Sequence, residues 1–210
     1  SIDALLLAGF VNIEKKRLKV LDIGTGSGII TLLLSKRFPE WEFSAVEIQE
    51  DLHELACENF RLHSLEVDIA CCDYRELPGQ DRFDLIVSNP PYYNKGNQPK
   101  KEQVAIARHE IVGDMESLVR KANKLLKGGG YLYLIYPAER LAELMSALSS
   151  NNIGPVAVKP VYPKEEMEAT LILVVARKSH KGSLRLLAPL YIGDESGEDT
   201  EEIKELYEKG

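Results

Sequence analysis

Leu18-Lys19-Val20-Leu21-Asp22-Ile23-Gly24-Thr25-Gly26-Ser27-Gly28 decides how the rest of the chain is read. Its first six residues are a β-rich run of aliphatic side chains. Three glycines at every second position then let the main chain turn tightly and let a ligand come close to it. From Ile29 to Phe38 leucines recur at helical spacing, and Pro39 stops the pattern. Strand, glycine turn and helix in that order open a parallel α/β unit.

Working outward, residues 2–10 read as a short helix with Asp3 near its start, followed by a polar connection to Lys19. Downstream the alternation continues. Glu42 to Ile48 is a second strand, Asp51 to Leu62 a helix, Glu66 to Cys72 a third strand and Arg82 to Ser88 a fourth. Residues 94–110 are polar and irregular. Asp114 to Leu126 is helical and is expected to end at Gly128-Gly129-Gly130. Tyr131 to Tyr136 is a fifth strand and Ala138 to Ser149 a helix. Pro155 to Val161 and Ala169 to Arg177 follow with no helix between them, which predicts an antiparallel hairpin at the sheet edge. The expectation is one domain over residues 1–210: a Rossmann-like, doubly wound α/β fold with a seven-stranded, mostly parallel sheet.

Length and composition fit that expectation. The 210 residues are 44% hydrophobic and 28% charged, as in ordinary globular domains. No apolar run approaches the roughly 18 residues that span a bilayer, and no signal-peptide pattern is visible in the residues given, which begin at Ser1 rather than Met. Cys57, Cys71 and Cys72 are odd in number, two are adjacent, and none forms a C-x-x-C pair. That pattern predicts buried or half-buried free thiols, no metal site and a cytoplasmic protein; a monomer is expected as well. The net charge of −7 is uneven: residues 193–210 carry eight acids against two lysines, so the other 192 residues carry only −1. The acidic segment is expected to be a loop followed by a last short helix with a solvated face.

The chemistry of the glycine turn is more specific. Its spacing is G-x-G-x-G, not the G-x-G-x-x-G of dinucleotide folds, and Asp22 stands two residues before Gly24. A pyrophosphate disfavours a nearby carboxylate, whereas a cofactor bearing an ammonium and a sulfonium is attracted to one. S-adenosylmethionine, leaving as S-adenosylhomocysteine, fits that charge pattern. Glu47 ends the second strand, where a carboxylate can accept ribose hydroxyls. Ile48 is placed to lie against an adenine face. Asp73, with Tyr74 beside it, follows the third strand and is placed to accept from the adenine amine. Taken singly, each acid also reads as an ordinary surface or capping residue. Together they mark the C-terminal ends of successive strands, the edge where open α/β sheets bind ligands.

The fourth strand ends in Ser88-Asn89-Pro90-Pro91-Tyr92-Tyr93. Two prolines stop the strand, because neither has an N–H and each fixes φ. The plain reading is a proline-rich exit turn capped by Asn. The motif series Val20 to Gly28, Glu47, Asp73 and Asn89-Pro90-Pro91-Tyr92 resembles class I S-adenosylmethionine-dependent methyltransferases acting on a planar sp² nitrogen. Asp3-Ala-Leu-Leu-Leu-Ala, Pro90-Pro91-Tyr92-Tyr93 and Ala107-Arg108-His109 are similar to the bacterial tRNA1(Val) adenine-37 N6-methyltransferase family. That resemblance implies methyl transfer to the exocyclic N6 of adenine 37, beside the anticodon of a valine tRNA. It implies that Asn89, Pro90 and Tyr92 handle the reacting amine, with Asn89 also near the cofactor. Lys95, Lys100, Lys101 and Arg108 against Glu102 and Glu110 give residues 94–110 a net charge of +2, and the four basic residues, with Pro91 and Tyr93, are expected to meet RNA; a solvated polar loop is the competing reading. His109 reads as a loop residue. Protein-glutamine N5-methylation, rRNA or DNA adenine N6-methylation and a non-catalytic cofactor- or RNA-binding module are the rival assignments. The first normally carries an N-terminal helical domain, and DNA enzymes a target-recognition insert.

Overall fold

The computed structural model describes residues 2–91, 115–194 and 196–209. Tyr92, Tyr93, Lys95, Lys100, Lys101, Arg108 and His109 therefore lie outside the described residues.

The chain runs α1 (Ile2–Phe10), β1 (Lys19–Ile23), α2 (Ile29–Arg37), β2 (Glu42–Glu47), α3 (Glu50–Leu62), β3 (Val67–Cys71), β4 (Phe83–Ser88), α4 (Met115–Leu125), β5 (Leu126–Pro137), α5 (Leu141–Ser150), β6 (Ile153–Tyr162), β7 (Leu171–Lys178), β8 (Arg185–Leu186), β9 (Leu190–Tyr191) and α6 (Glu201–Lys209). Short 3₁₀ turns cover Tyr74–Glu76 and Ala138–Arg140. The strands form one sheet in the order β3-β2-β1-β4-β5-β7-β6-β8, with β9 also on β6. β1 to β5 are parallel, and β7 runs antiparallel between β5 and β6.

The sheet has nine strands among the described residues, not seven. The two extra strands, β8 and β9, are two residues each and parallel to β6. The hairpin of β6 and β7 is antiparallel as expected, but β8 and β9 line its outer side. A second correction concerns the three glycines. α4 ends at Leu125, and β5 starts at once and runs through Gly128-Gly129-Gly130. Gly129 has φ +73°, and the β4–β5 register shifts between Phe83 and Leu85. The glycines make a bulge that absorbs extra residues in β5.

Two apolar layers cover the sheet. One face carries Leu21, Ile23, Ile86, Leu132 and Val174 under α4 and α5. The other carries Val20, Phe43, Leu85, Tyr133 and Val175 under α1 and α2. Alternate residues of each central strand thus point to opposite layers. The acidic C-terminal segment is not wholly solvated. Ile203 of α6 is 0% exposed and belongs to the layer under α1, with Leu206 beside it. Glu202 pairs with Lys159 of β6 at 2.7 Å.

Candidate active site

β1 and β4 are the central neighbours from which the strand order departs in opposite directions, the switch point where doubly wound sheets bind ligands. Their ladder ends with Ile23 opposite Ser88. The buried Ser88 hydroxyl donates to the Ile23 carbonyl at 2.7 Å, fixing the exit of β4 beside the exit of β1. Asn89 follows half-buried, Pro90 is buried and Pro91 is exposed. The Asn-Pro-Pro turn thus leaves the sheet next to the glycine turn.

The glycine turn is held from β2. Gly24 and Thr25 N–H groups donate to the Val46 carbonyl at 2.9 and 3.1 Å. Gly24 and Gly26 have φ +70° and +57°, and a Cβ at either would meet nothing within 4 Å. The turn is left-handed and open on its ligand side. Gly28 differs, since a Cβ there would sit 2.5 Å from the Phe60 ring. Its role is close approach of α2 to α3, aided by Asn59 Nδ2 donating to the Ser27 carbonyl at 2.8 Å.

Asp22 is 1% exposed. Its Oδ2 accepts from the Thr25 hydroxyl at 2.7 Å and the Thr31 hydroxyl at 2.9 Å. Its Oδ1 has no hydrogen-bond partner among the described residues. Burial pushes this carboxyl up to about 6, against the two hydroxyls that favour the ionised form, while Glu47 adds a like charge. A buried carboxylate oxygen without a donor costs on the order of 1–3 kcal/mol or more. A cationic N–H donor beside the open glycine turn would satisfy it, so these residues fit a cofactor with an ammonium group.

Glu47 is 5% exposed and already engaged. Oε2 accepts from Gly26 N–H at 2.9 Å, and Oε1 accepts from Ile48 and Gln49 N–H, each at 2.9 Å. Of the roughly four acceptor positions on a carboxylate, these use three. One remains on Oε2, so taking two ribose hydroxyls requires release of a main-chain donor. Ile48 is exposed at the same strand end. Asp73 is similarly occupied. It caps the 3₁₀ turn by accepting from Arg75 N–H at 2.8 Å, and its two oxygens take the Arg75 guanidinium. Those bonds hold its carboxyl below the ordinary aspartate range, against partial burial. An adenine amine at Asp73 competes with Arg75. Tyr74 is half-buried and packs on the layer under α4 and α5.

The structure brings Asp22, Gly24, Gly26, Gly28, Glu47, Ile48, Asn89, Pro90 and Pro91 to one sheet edge, with Asp73 and Tyr74 farther along it past β3. Sequence reasoning missed Thr25, Thr31, Asn59, Ser88 and Arg75. Thr31 had a signal, as the one hydroxyl in Ile29-Ile30-Thr31-Leu32-Leu33-Leu34. Among the described residues no group of three or more His, Cys, Asp or Glu is arranged to hold a metal ion. No described helix is long and apolar enough to cross a membrane.

A relative from Flavobacterium johnsoniae named tRNA1(Val) (adenine(37)-N6)-methyltransferase is 32% identical over 177 residues, 81% of this chain and 75% of that protein. One of the same name from Porphyromonas gingivalis is 39% identical over 131 residues, 59% of this chain and 51% of its own. The crystal structure of a predicted O-methyltransferase from Agrobacterium tumefaciens superposes with a TM-score of 0.81, at 22% identity over 99% of this chain and 96% of that one. A geranyl diphosphate C-methyltransferase from Streptomyces coelicolor, solved with S-adenosyl-L-homocysteine, gives 0.63 at 12% identity over 84% of this chain and 80% of that one; both likenesses bear on the fold. The family model for the methyltransferase small domain matches residues 3–150. Glycine turn, buried acid and strand-end Asn-Pro-Pro thus sit in a chain that belongs to the methyltransferase small domain family.

Proposed function

We propose that this protein transfers a methyl group from S-adenosylmethionine to the exocyclic N6 of adenine 37 in a valine tRNA. The observation that carries the reading is the placement of Asn89-Pro90-Pro91 beside the glycine turn at the β1–β4 switch point, tied there by Ser88 to Ile23. The relatives' shared name supplies the substrate.

The cofactor supplies an electrophilic methyl group on sulfur when bound. Asp22 Oδ1 would meet its ammonium end, Gly24 and Gly26 would let its main body approach, and Glu47 with Ile48 would face the ribose and adenine. Asp73 and Tyr74 would border the adenine. On the acceptor side, the exocyclic amine of adenine is a poor nucleophile because its lone pair is delocalised into the ring. The Asn89 side-chain oxygen and the Pro90 carbonyl accept its two N–H bonds and favour localisation of that lone pair. Pro91 stiffens the Pro90 carbonyl. Tyr92 stacks on the base, a contact worth about 1–3 kcal/mol by alanine substitution. Positioning for in-line displacement then supplies most of the rate, and the methylated nitrogen passes its proton to water without a strong base.

The base must leave its stack to enter such a pocket, and a loop nucleotide does so cheaply. Lys95, Lys100, Lys101, Arg108 and Tyr93 are assigned to the surrounding RNA. Residues 1–210 are read as one domain, supported by the seating of Ile203 in the layer under α1. The three cysteines are free, with Cys57 and Cys72 half-buried as expected and Cys71 exposed rather than buried; the protein is read as a monomer working in the cytoplasm. The test offers methyl-labelled cofactor to tRNA, DNA and protein pools. Label is expected in tRNA; label in protein alone would sink the substrate assignment in favour of glutamine methylation.

A further inference from the structure

We propose that Thr25 and Thr31 are positioning residues for the cofactor: by donating both hydroxyls to Oδ2 they hold Asp22 ionised and leave Oδ1 as the acceptor for a cationic ammonium, so that cofactor binding is coupled to the protonation of Asp22. The inference rests on the cofactor reading above and concerns residues to which that reading gives no role.

Three observations carry it. First, two hydroxyls converge on one oxygen of a carboxylate that is 1% exposed, at 2.7 and 2.9 Å. Second, the other oxygen is buried and without a donor among the described residues. Third, among the described residues nothing near Asp22 neutralises it. Its sheet neighbours are Ala45 in β2 and Val87 in β4, α2 contributes Thr31, the turn contributes Thr25, and the charged group that acts on it is Glu47, a like charge. A buried carboxylate with no cation beside it holds its proton more tightly than in water. Burial therefore lifts Asp22 to about 6, even though both hydroxyls pull the other way. Without those hydroxyls the carboxylate would be protonated at a higher pH still. A protonated Asp22 offers the ammonium no charge, so a cationic ligand binds the ionised form. Below the midpoint each binding event must then release one proton, and affinity falls about tenfold per pH unit. Above the midpoint the affinity is flat.

The test is calorimetric binding of S-adenosylhomocysteine, whose amine stays protonated over pH 5 to 7, to the full chain between pH 5 and 8. The wild type is expected to lose affinity below a midpoint near pH 6 and to release about half a proton at that midpoint, read from buffers of different ionisation enthalpy. Thr31→Val keeps the shape and β-branching but removes one donor. Loss of one hydrogen bond to a charged group raises the midpoint by about one pH unit. Its affinity should be about fivefold below wild type at pH 6 and within about twofold at pH 8. Thr31→Ser should restore the wild-type profile, Thr25→Val should shift it in the same direction as Thr31→Val, and Asp22→Asn should abolish the proton release.

A Thr31→Val variant weakened equally at every pH would show a merely structural role and overturn the inference. A flat wild-type profile with normal binding would overturn it while leaving the cofactor reading intact. No binding by the wild type at any pH would overturn both.

Discussion

Asp22→Asn should change how stability depends on pH, and the size of the change follows from burial. In the folded chain the Asp22 carboxyl is raised from 3.8 to about 6. A group that binds its proton more tightly when folded contributes stability fully present below its unfolded value, near 3.8, and lost as pH rises through about 6. Roughly two pH units at 1.36 kcal/mol each make the full loss about 3 kcal/mol. About half of it falls between pH 5 and 7.5. The amide that replaces the carboxyl has no proton to exchange, so this component is absent from the variant, and any fixed cost of the amide cancels in the difference between pH values. Urea unfolding of both proteins without ligand at pH 5, 6 and 7.5 measures it. The wild type should lose about 1–2 kcal/mol more than Asp22→Asn between the extremes. Parallel profiles, within about 0.5 kcal/mol, would mean that the carboxylate is solvated and that the assignment of Asp22 as a buried, unneutralised charge is wrong.

Other expected outcomes address the frame around the site. Gly28→Ala must adopt φ +82° and place a Cβ 2.5 Å from the Phe60 ring, so denaturant unfolding should show a loss of about 2–4 kcal/mol; a loss under about 1 kcal/mol would mean that α2 and α3 separate easily. Ile203→Ala should cost about 2–4 kcal/mol because the side chain is fully buried, whereas Glu202→Gln should cost under about 1 kcal/mol as an exposed ion pair. Equal, negligible effects would return residues 201–209 to a solvated tail. Asn89→Ala should lower kcat at least ~100-fold and leave S-adenosylhomocysteine affinity nearly unchanged; a large loss of that affinity contradicts its placement on the reacting amine. Tyr92→Ala should impair turnover far more than Tyr92→Phe, because stacking uses the ring and not the hydroxyl.

The parts of the fold written in local periodicity were legible. β1, its glycine turn and α2 lie within one or two residues of the sequence reading, and Asn89 follows β4 as expected. Glycine was misread at 128–130, because the same residue marks a helix end and a strand bulge; the choice was made by pairing of β5 with β4, which is not local. β8 and β9 are too short to show a two-residue period, and they exist because the edge of β6 offers main-chain partners. In α6, Ile203 and Leu206 at i and i+3 were a readable apolar stripe, obscured by counting the acids around them. Within the site the residue types were legible and their bonds were not. Asp73 bonding Arg75, and Glu47 bonding the Gly26 N–H, depend on side-chain rotamers and turn geometry that only the folded chain fixes. Thr31 matters through the bond from its hydroxyl to Asp22, nine residues away, which local sequence does not display.

The most direct measurement of the central claim uses an unmodified valine tRNA transcript and its adenine-37-to-guanine variant, each incubated with the protein and S-adenosylmethionine and then digested to nucleosides. The account predicts N6-methyladenosine from the first transcript, none from the second, and none from either with Asn89→Ala. Equal methylation of both transcripts, or a methylated nucleoside other than N6-methyladenosine, would contradict it.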